Sequence, residues 1–126
     1  MSLLYEEESY SIIGAAIAVH QELGNGFLEA VYQEALEKEF QTRNIPYRRQ
    51  VPIIIFYKNE PLHKFFIPDF LCYEKIIVEL KAQPAITPAS HAQVVNYLKA
   101  SKLSLGLILN FGRKSLEHKR VVKEKR

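Results

Sequence analysis

Apolar residues recur at helical spacing between about Glu6 and Leu23, where Ile12, Ile13, Ala16, Ile17 and Leu23 predict a first helix with one buried stripe. Gly24-Asn25-Gly26 ends it, because these residue types tolerate the positive φ of a helix C-cap and a tight turn. A second helix is predicted from Phe27 to about Arg43, with Leu28, Val31, Tyr32, Ala35, Leu36 and Phe40 as its apolar stripe. Ile45-Pro46 breaks that pattern. Arg49 to Tyr57 is then rich in β-branched and aromatic residues and predicts a strand that turns at Lys58-Asn59-Glu60-Pro61 into another from about Leu62. Phe65 to Tyr73 and Ile76 to Lys81 predict two more, paired as a hairpin across a break at Glu74-Lys75. Thr87-Pro88 offers an N-cap followed by proline at the first helical position, so a third helix should run to about Ala100. On it Val94, Val95 and Leu98 can pack inward. Leu103 to Phe111 follows as a buried strand, parallel to a neighbour because a helix crosses over before it, and Val121-Val122 adds a short edge. The class is α/β, one mixed central sheet flanked by helices.

Strand alternation sharpens the reading of Ile76 to Lys81. Ile77, Glu79 and Lys81 share one face, Ile76, Val78 and Leu80 the other, so two charges interrupt a segment that is otherwise apolar on both sides. An exposed ion pair there would contribute well under ~1 kcal/mol and carry no function. A strand buried on both faces is another matter, since even a neutral polar group left unpaired inside a protein costs on the order of 2–7 kcal/mol. A bound cation would offset that cost. Glu-x-Lys recurs at Glu117/Lys119, but only the first copy is expected in a strand with apolar residues on both sides. Only the first has Pro68-Asp69 upstream.

Composition narrows the setting. The 126 residues suit a single domain spanning 1–126, and 48% hydrophobic with 25% charged residues is ordinary for a globular chain. The longest strongly apolar stretch, Ile12 to Val19, falls short of the ~18–20 residues of a membrane span, and Glu6-Glu7-Glu8 does not suit a signal peptide, so a cytoplasmic protein is expected. The single cysteine, Cys72, lies in a predicted strand and reads as a buried structural thiol. No Cys/His zinc spacing occurs. The net charge of +3 conceals an acidic first third and a basic tail over residues 113–126, a candidate contact to a phosphate backbone as much as a solvated end.

The remaining candidates are helical. Glu29 stands at the start of the second predicted helix, where the macrodipole tolerates a carboxylate, and Gln93 and Tyr97 lie four residues apart on one face of the third. Each alone is a weak signal. The order helix carboxylate, Pro68-Asp69, Glu79-x-Lys81, then Gln93-x-x-x-Tyr97 resembles the PD-(D/E)XK nuclease superfamily. Gly26-Phe27-Leu28-Glu29-Ala30-Val31-Tyr32, with Val78 to Ala82 and Asn110-Phe111-Gly112, is similar to the signature of its small GxxExxY proteins.

That resemblance implies a restriction-endonuclease-like core of α-β-β-β-α-β order and hydrolysis of nucleic-acid phosphodiester bonds, DNA foremost, with Mg²⁺ or Mn²⁺. It implies Asp69 and Glu79 as metal ligands joined by the Leu80 carbonyl, and Lys81 as the group that orients the attacking water. Glu29 would hold a second metal or a water, and Gln93 and Tyr97 would bind the substrate backbone. His20, Gln50 and His91 are also within reach, with structural roles expected. Cutting both strands of a duplex would suit a homodimer. The rival readings are a catalytically silent nucleic-acid-binding or regulatory module on the same fold, and a small structural protein that carries the motif by chance.

Overall fold

Residues 3–123 are described in the computed structural model of the chain. The first helix, α1, runs Glu6–Leu23 as its periodicity predicts. Three glutamates in its first turn complement the helix dipole, and Gly24 caps its end at φ 69°, its N–H donating to the His20 carbonyl. Helix α2 spans Glu29–Thr42, followed by strands β1 (Tyr47–Arg49), β2 (Ile53–Tyr57), β3 (Glu60–Phe66), β4 (Phe70–Cys72) and β5 (Ile76–Lys81). Helix α3 (Pro88–Ser101), β6 (Leu105–Asn110) and β7 (Glu117–Val122) complete the fold. Thr87 caps α3 as expected, its hydroxyl accepting from the Ser90 N–H.

Five strands make the central sheet in the order β1-β4-β5-β6-β7. Only β5 and β6 run parallel, and α3 is the crossover between them; every other neighbour is antiparallel. The mixed sheet and the α-β-β-β-α-β order are therefore those expected. On one face α1 and α2 bury Ile12, Ala16, Tyr32, Leu36 and Phe40 against Ile76, Val78 and Leu80 of β5 and alternate residues of β6. On the other α3 packs Val94, Tyr97 and Leu98 against Ile77, Ile108 and Val121. Glu79 and Lys81 thus point toward α3, on a strand with helices over both faces.

The structure corrects several local expectations. Arg49 to Tyr57 is two strands, because Gln50 takes a positive φ of 52° and Pro52 has no N–H to continue a ladder. Phe65 to Tyr73 is likewise split at Ile67-Pro68-Asp69. Its first two residues belong to a separate two-stranded sheet of β2 and β3, inserted between β1 and β4. Helix α2 starts two residues later than predicted, since Leu28 is its extended N-cap. Leu28 and Val31 consequently leave the stripe for solvent, as do Ile17 on α1 and Val95 on α3. The short edge expected at Val121-Val122 begins earlier, as β7 from Glu117, and takes in the second Glu-x-Lys; unlike β5 that strand is exposed or half-buried except at Val121, as expected of the second copy.

Cys72 is fully buried, and burial pushes its thiol up to about 12. Thiolate is the reactive form. Folded protein at pH 8 should therefore resist alkylation by iodoacetamide and react fully once denatured, as counted by intact mass. Fast labelling of the native chain would contradict this burial.

Candidate active site

Pro68 turns the chain out of the β2–β3 hairpin and sets Asp69 in the bend before β4, beside the carboxyl-terminal half of β5. Each acidic residue accepts a backbone N–H from the other's segment. The Leu80 N–H donates to Asp69 Oδ2 at 2.7 Å, and the Asp69 N–H donates to Glu79 Oε1 at 3.2 Å. Glu79 is 6% exposed. Lys81 Nζ lies 3.8 Å from Glu79 Oε2 and donates to Gln93 Oε1 of α3 at 2.8 Å. Tyr97, one turn after Gln93, is buried at the same place, with its ring against Phe66 of β3 at 5.2 Å between centroids.

Glu29 arrives from the opposite wall. Gly26, at φ 113°, completes the turn out of α1, and the Tyr32 hydroxyl donates to the Gly24 carbonyl at 2.6 Å while accepting from the Phe27 N–H at 3.2 Å. Tyr32 in turn stacks on Phe111 of the chain leaving β6, with ring centroids 4.6 Å apart. Glycine and tyrosine therefore fasten the turn from both sides, and the glutamate between them opens α2 where the charges of Asp69, Glu79 and Lys81 reach it.

Electrostatics mark the cluster as short of positive charge. Burial first, then repulsion from Asp69, pushes the Glu79 carboxyl up to about 8. Burial likewise raises Asp69, against the Leu80 hydrogen bond and the charges of Lys81 and Arg49, and it raises Glu29 with help from Asp69. Tyr97 is held up to about 12 by burial and then by the charges of Glu79 and Asp69. One buried and one half-buried carboxylate facing one ammonium fit a hard divalent cation, which takes oxygen donors. Among the described residues no three acidic, histidine or cysteine side chains form a group positioned to hold a metal.

The roles of two neighbours, Gln33 and Asn110, escaped the sequence reading, although Asn110 stands in the Asn110-Phe111-Gly112 block. Gln33 donates from Nε2 to Asp69 Oδ1 at 2.7 Å, orienting the carboxylate from α2. Its spacing of four from Glu29 was the available signal. Asn110 is the other, fully buried at the end of β6. Its Oδ1 accepts from the Gln83 and Gly112 N–H groups, and its Nδ2 donates to the Gln83 carbonyl and to Glu117 Oε1. Glu117 also accepts from the Ile86 N–H, so the second Glu-x-Lys fixes the loop between Lys81 and α3.

The remaining candidates separate. His20 donates to or accepts no group of the cluster: its Nε2 meets the Arg113 carbonyl at 2.8 Å and its ring stacks on Phe111. Gln50 contributes only its N–H, to the Asp69 carbonyl. His91 is not satisfied as expected, since its Nδ1 is buried with no hydrogen-bond partner among the described residues. In the basic tail, Arg120 is engaged by Ser9 and the Leu4 carbonyl, and residues 124–126 lie outside the described residues.

A family model described as the PD-(D/E)XK nuclease superfamily matches residues 6–121. No curated protein matches the chain. Among solved structures the chain is similar to the crystal structure of SSO0001, at a TM-score of 0.59 and 15% sequence identity, a likeness of fold. That match covers 97% of this chain and 61% of the other, so the chain spans about three-fifths of the length of SSO0001.

Proposed function

The chain belongs to the PD-(D/E)XK nuclease superfamily, and on that premise we propose that it hydrolyses phosphodiester bonds of nucleic acid, DNA foremost, with Mg²⁺ or Mn²⁺ held by Asp69 and Glu79. The observation that carries this is the pair of carboxylates from separate segments, Glu79 buried and Asp69 half-buried, with Glu79 accepting from the Asp69 N–H, Asp69 from the Leu80 N–H, and Lys81 3.8 Å from Glu79. The Leu80 carbonyl completes the donors from β5, and Glu29 holds a water from the far wall. When bound, the cation supplies positive charge for the phosphate and lowers the pKa of water toward neutrality.

The chain's own groups do the rest. Lys81, held by Gln93, orients the attacking water and stabilises the negative charge that develops as the water loses its proton. Because Gln93 Oε1 is taken by Lys81, its Nε2 is the atom left to donate to a phosphate oxygen, beside the Tyr97 hydroxyl. Membership among the GxxExxY proteins is part of the same proposal. It is supported by the way Gly26, Glu29 and Tyr32 act as one unit. A cytoplasmic location and pairing of two copies on a duplex complete it; no helix among the described residues is long and apolar enough to cross a membrane.

The test is thermal. A ligand that binds the folded state alone raises the melting temperature, so millimolar Mn²⁺ or Mg²⁺ should shift it upward. The sign of the pH dependence follows from Glu79. Its folded pKa lies near 8 in place of 4.5, so below pH 8 a proton competes with the cation, and the shift should be larger at pH 8.5 than at pH 6. No shift by either ion at pH 8.5, up to ~10 mM, would remove the metal-dependent reading.

A further inference from the structure

The β2–β3 hairpin is not explained by the cluster of Asp69 and Glu79. It leads directly into Asp69, yet it carries Phe56, Tyr57 and Phe65 at 64%, 62% and 48% exposure. Between it and α3 lies a groove of about 520 Å³ lined by Phe56, Phe66, Asn59, Asn96, Lys99 and Lys102, among others. The groove is half aromatic and aliphatic, half amide and ammonium. Among the described residues neither Lys99 nor Lys102 takes part in an ion pair, and neither do Lys58 at the hairpin tip or Lys64 on β3. Glu60 is the one acid on the hairpin.

We infer that this groove binds a single strand of the nucleic-acid substrate as it leaves the cleft, its bases against Phe56 and its phosphates against Lys99 and Lys102. The inference rests on the nuclease reading and deepens it, by naming a substrate with unpaired bases. Two observations support that occupant. The groove adjoins the candidate site, because Phe66 lines it and packs on Tyr97, one turn after Gln93 on α3. The lysines are also spaced along the path. At a rise of about 1.5 Å per residue, Lys99 lies about 9 Å along α3 from Gln93, and Lys102 follows as the helix C-cap. Stacked bases must be exposed to reach an aromatic platform, and a paired duplex keeps them inside. A second copy of the chain fits less well, since protein interfaces are depleted in lysine at their centres.

Binding is measured with Ca²⁺ replacing the active ion, on a labelled oligonucleotide of about 20 nucleotides, single-stranded or as a blunt duplex. Cleavage of bis-p-nitrophenyl phosphate with Mn²⁺ reports the chemical site without the groove. The double variant Lys99→Gln/Lys102→Gln should bind the single strand about tenfold more weakly and flatten the plot of log affinity against log salt by about 1.4, two phosphates at about 0.7 each. Phe56→Ala should weaken it by roughly five- to a hundredfold, the scale of one lost stacking contact. Both variants should cleave the small diester as wild type does. Unchanged single-strand affinity and salt slope in both variants would overturn the inference, as would a duplex bound as tightly as the single strand. A variant that alters only the mass in solution would assign the groove to a second copy instead. Should the wild type cleave neither substrate, the nuclease reading fails while the binding comparison still decides the groove.

Discussion

Glu79→Gln should abolish cleavage and yet leave the cation-free protein at least as stable as wild type. The two effects have one cause. Glu79 is buried beside Asp69, and their repulsion together with burial is what lifts its pKa to about 8. An amide of the same shape removes that repulsion while its carbonyl can still accept the Asp69 N–H. At pH 8.5, where the wild-type carboxyl carries charge, the cation-free variant should melt at the same temperature or higher. The upward shift with Mn²⁺ should disappear, and turnover should fall by ~10³-fold or more if losing the ligand costs at least as much as one preorganised electrostatic group. Calorimetry with and without Mn²⁺, beside an assay on labelled DNA, reads both. A variant that is less stable and still cuts would mean that Glu79 is a structural acid.

Lys81→Met separates chemistry from binding. Methionine keeps much of the stem and removes the ammonium that Gln93 holds 3.8 Å from Glu79. Cleavage should fall by ~10²-fold or more. Binding of Mn²⁺ through Asp69 and Glu79 should persist, seen as a retained melting shift, because the proposed role of Lys81 lies in the transition state. Wild-type rates in this variant would place the activity in a contaminant or elsewhere on the chain.

How much of this was legible in the sequence depends on whether the cause is local. The ends of α1, the Thr87 cap and the pairing of β4 with β5 follow from residues adjacent in the chain, and they stand where expected. The central strand was legible because charge on a segment apolar on both faces is unusual. Asp69, Glu79, Lys81, Gln93 and Tyr97 do gather in one place, with Glu29 at the far wall.

What the sequence concealed was the split of two β-rich stretches between separate sheets. The pattern of Ile53 to Tyr57 is the same whether its partner is the central sheet or an inserted hairpin. Only Pro52 and Pro68 hinted at the breaks. The roles of Gln33 and Asn110 were missed for a different reason: what an amide holds is not evident until its partners, 36 and 27 residues away in sequence, are in place. Leu28 and Val31 were counted as core because helical spacing says which positions share a face, not where the helix begins.

The buried amide at the end of β6 limits how this domain can be elaborated. Asn110 grips both the N–H and the carbonyl of Gln83, and a Cβ added at Gly112 would collide with the Gln83 backbone. The passage from Lys81 to α3 therefore has no slack, and a residue inserted there would pull the ammonium away from Glu79. The tip of the β2–β3 hairpin is the opposite case. Lys58 and Asn59 both stand at positive φ in an exposed turn that touches neither carboxylate. New chain can be spliced in at that tip, so a designer seeking to retarget the domain should attach a recognition module there, directly beside the groove along α3.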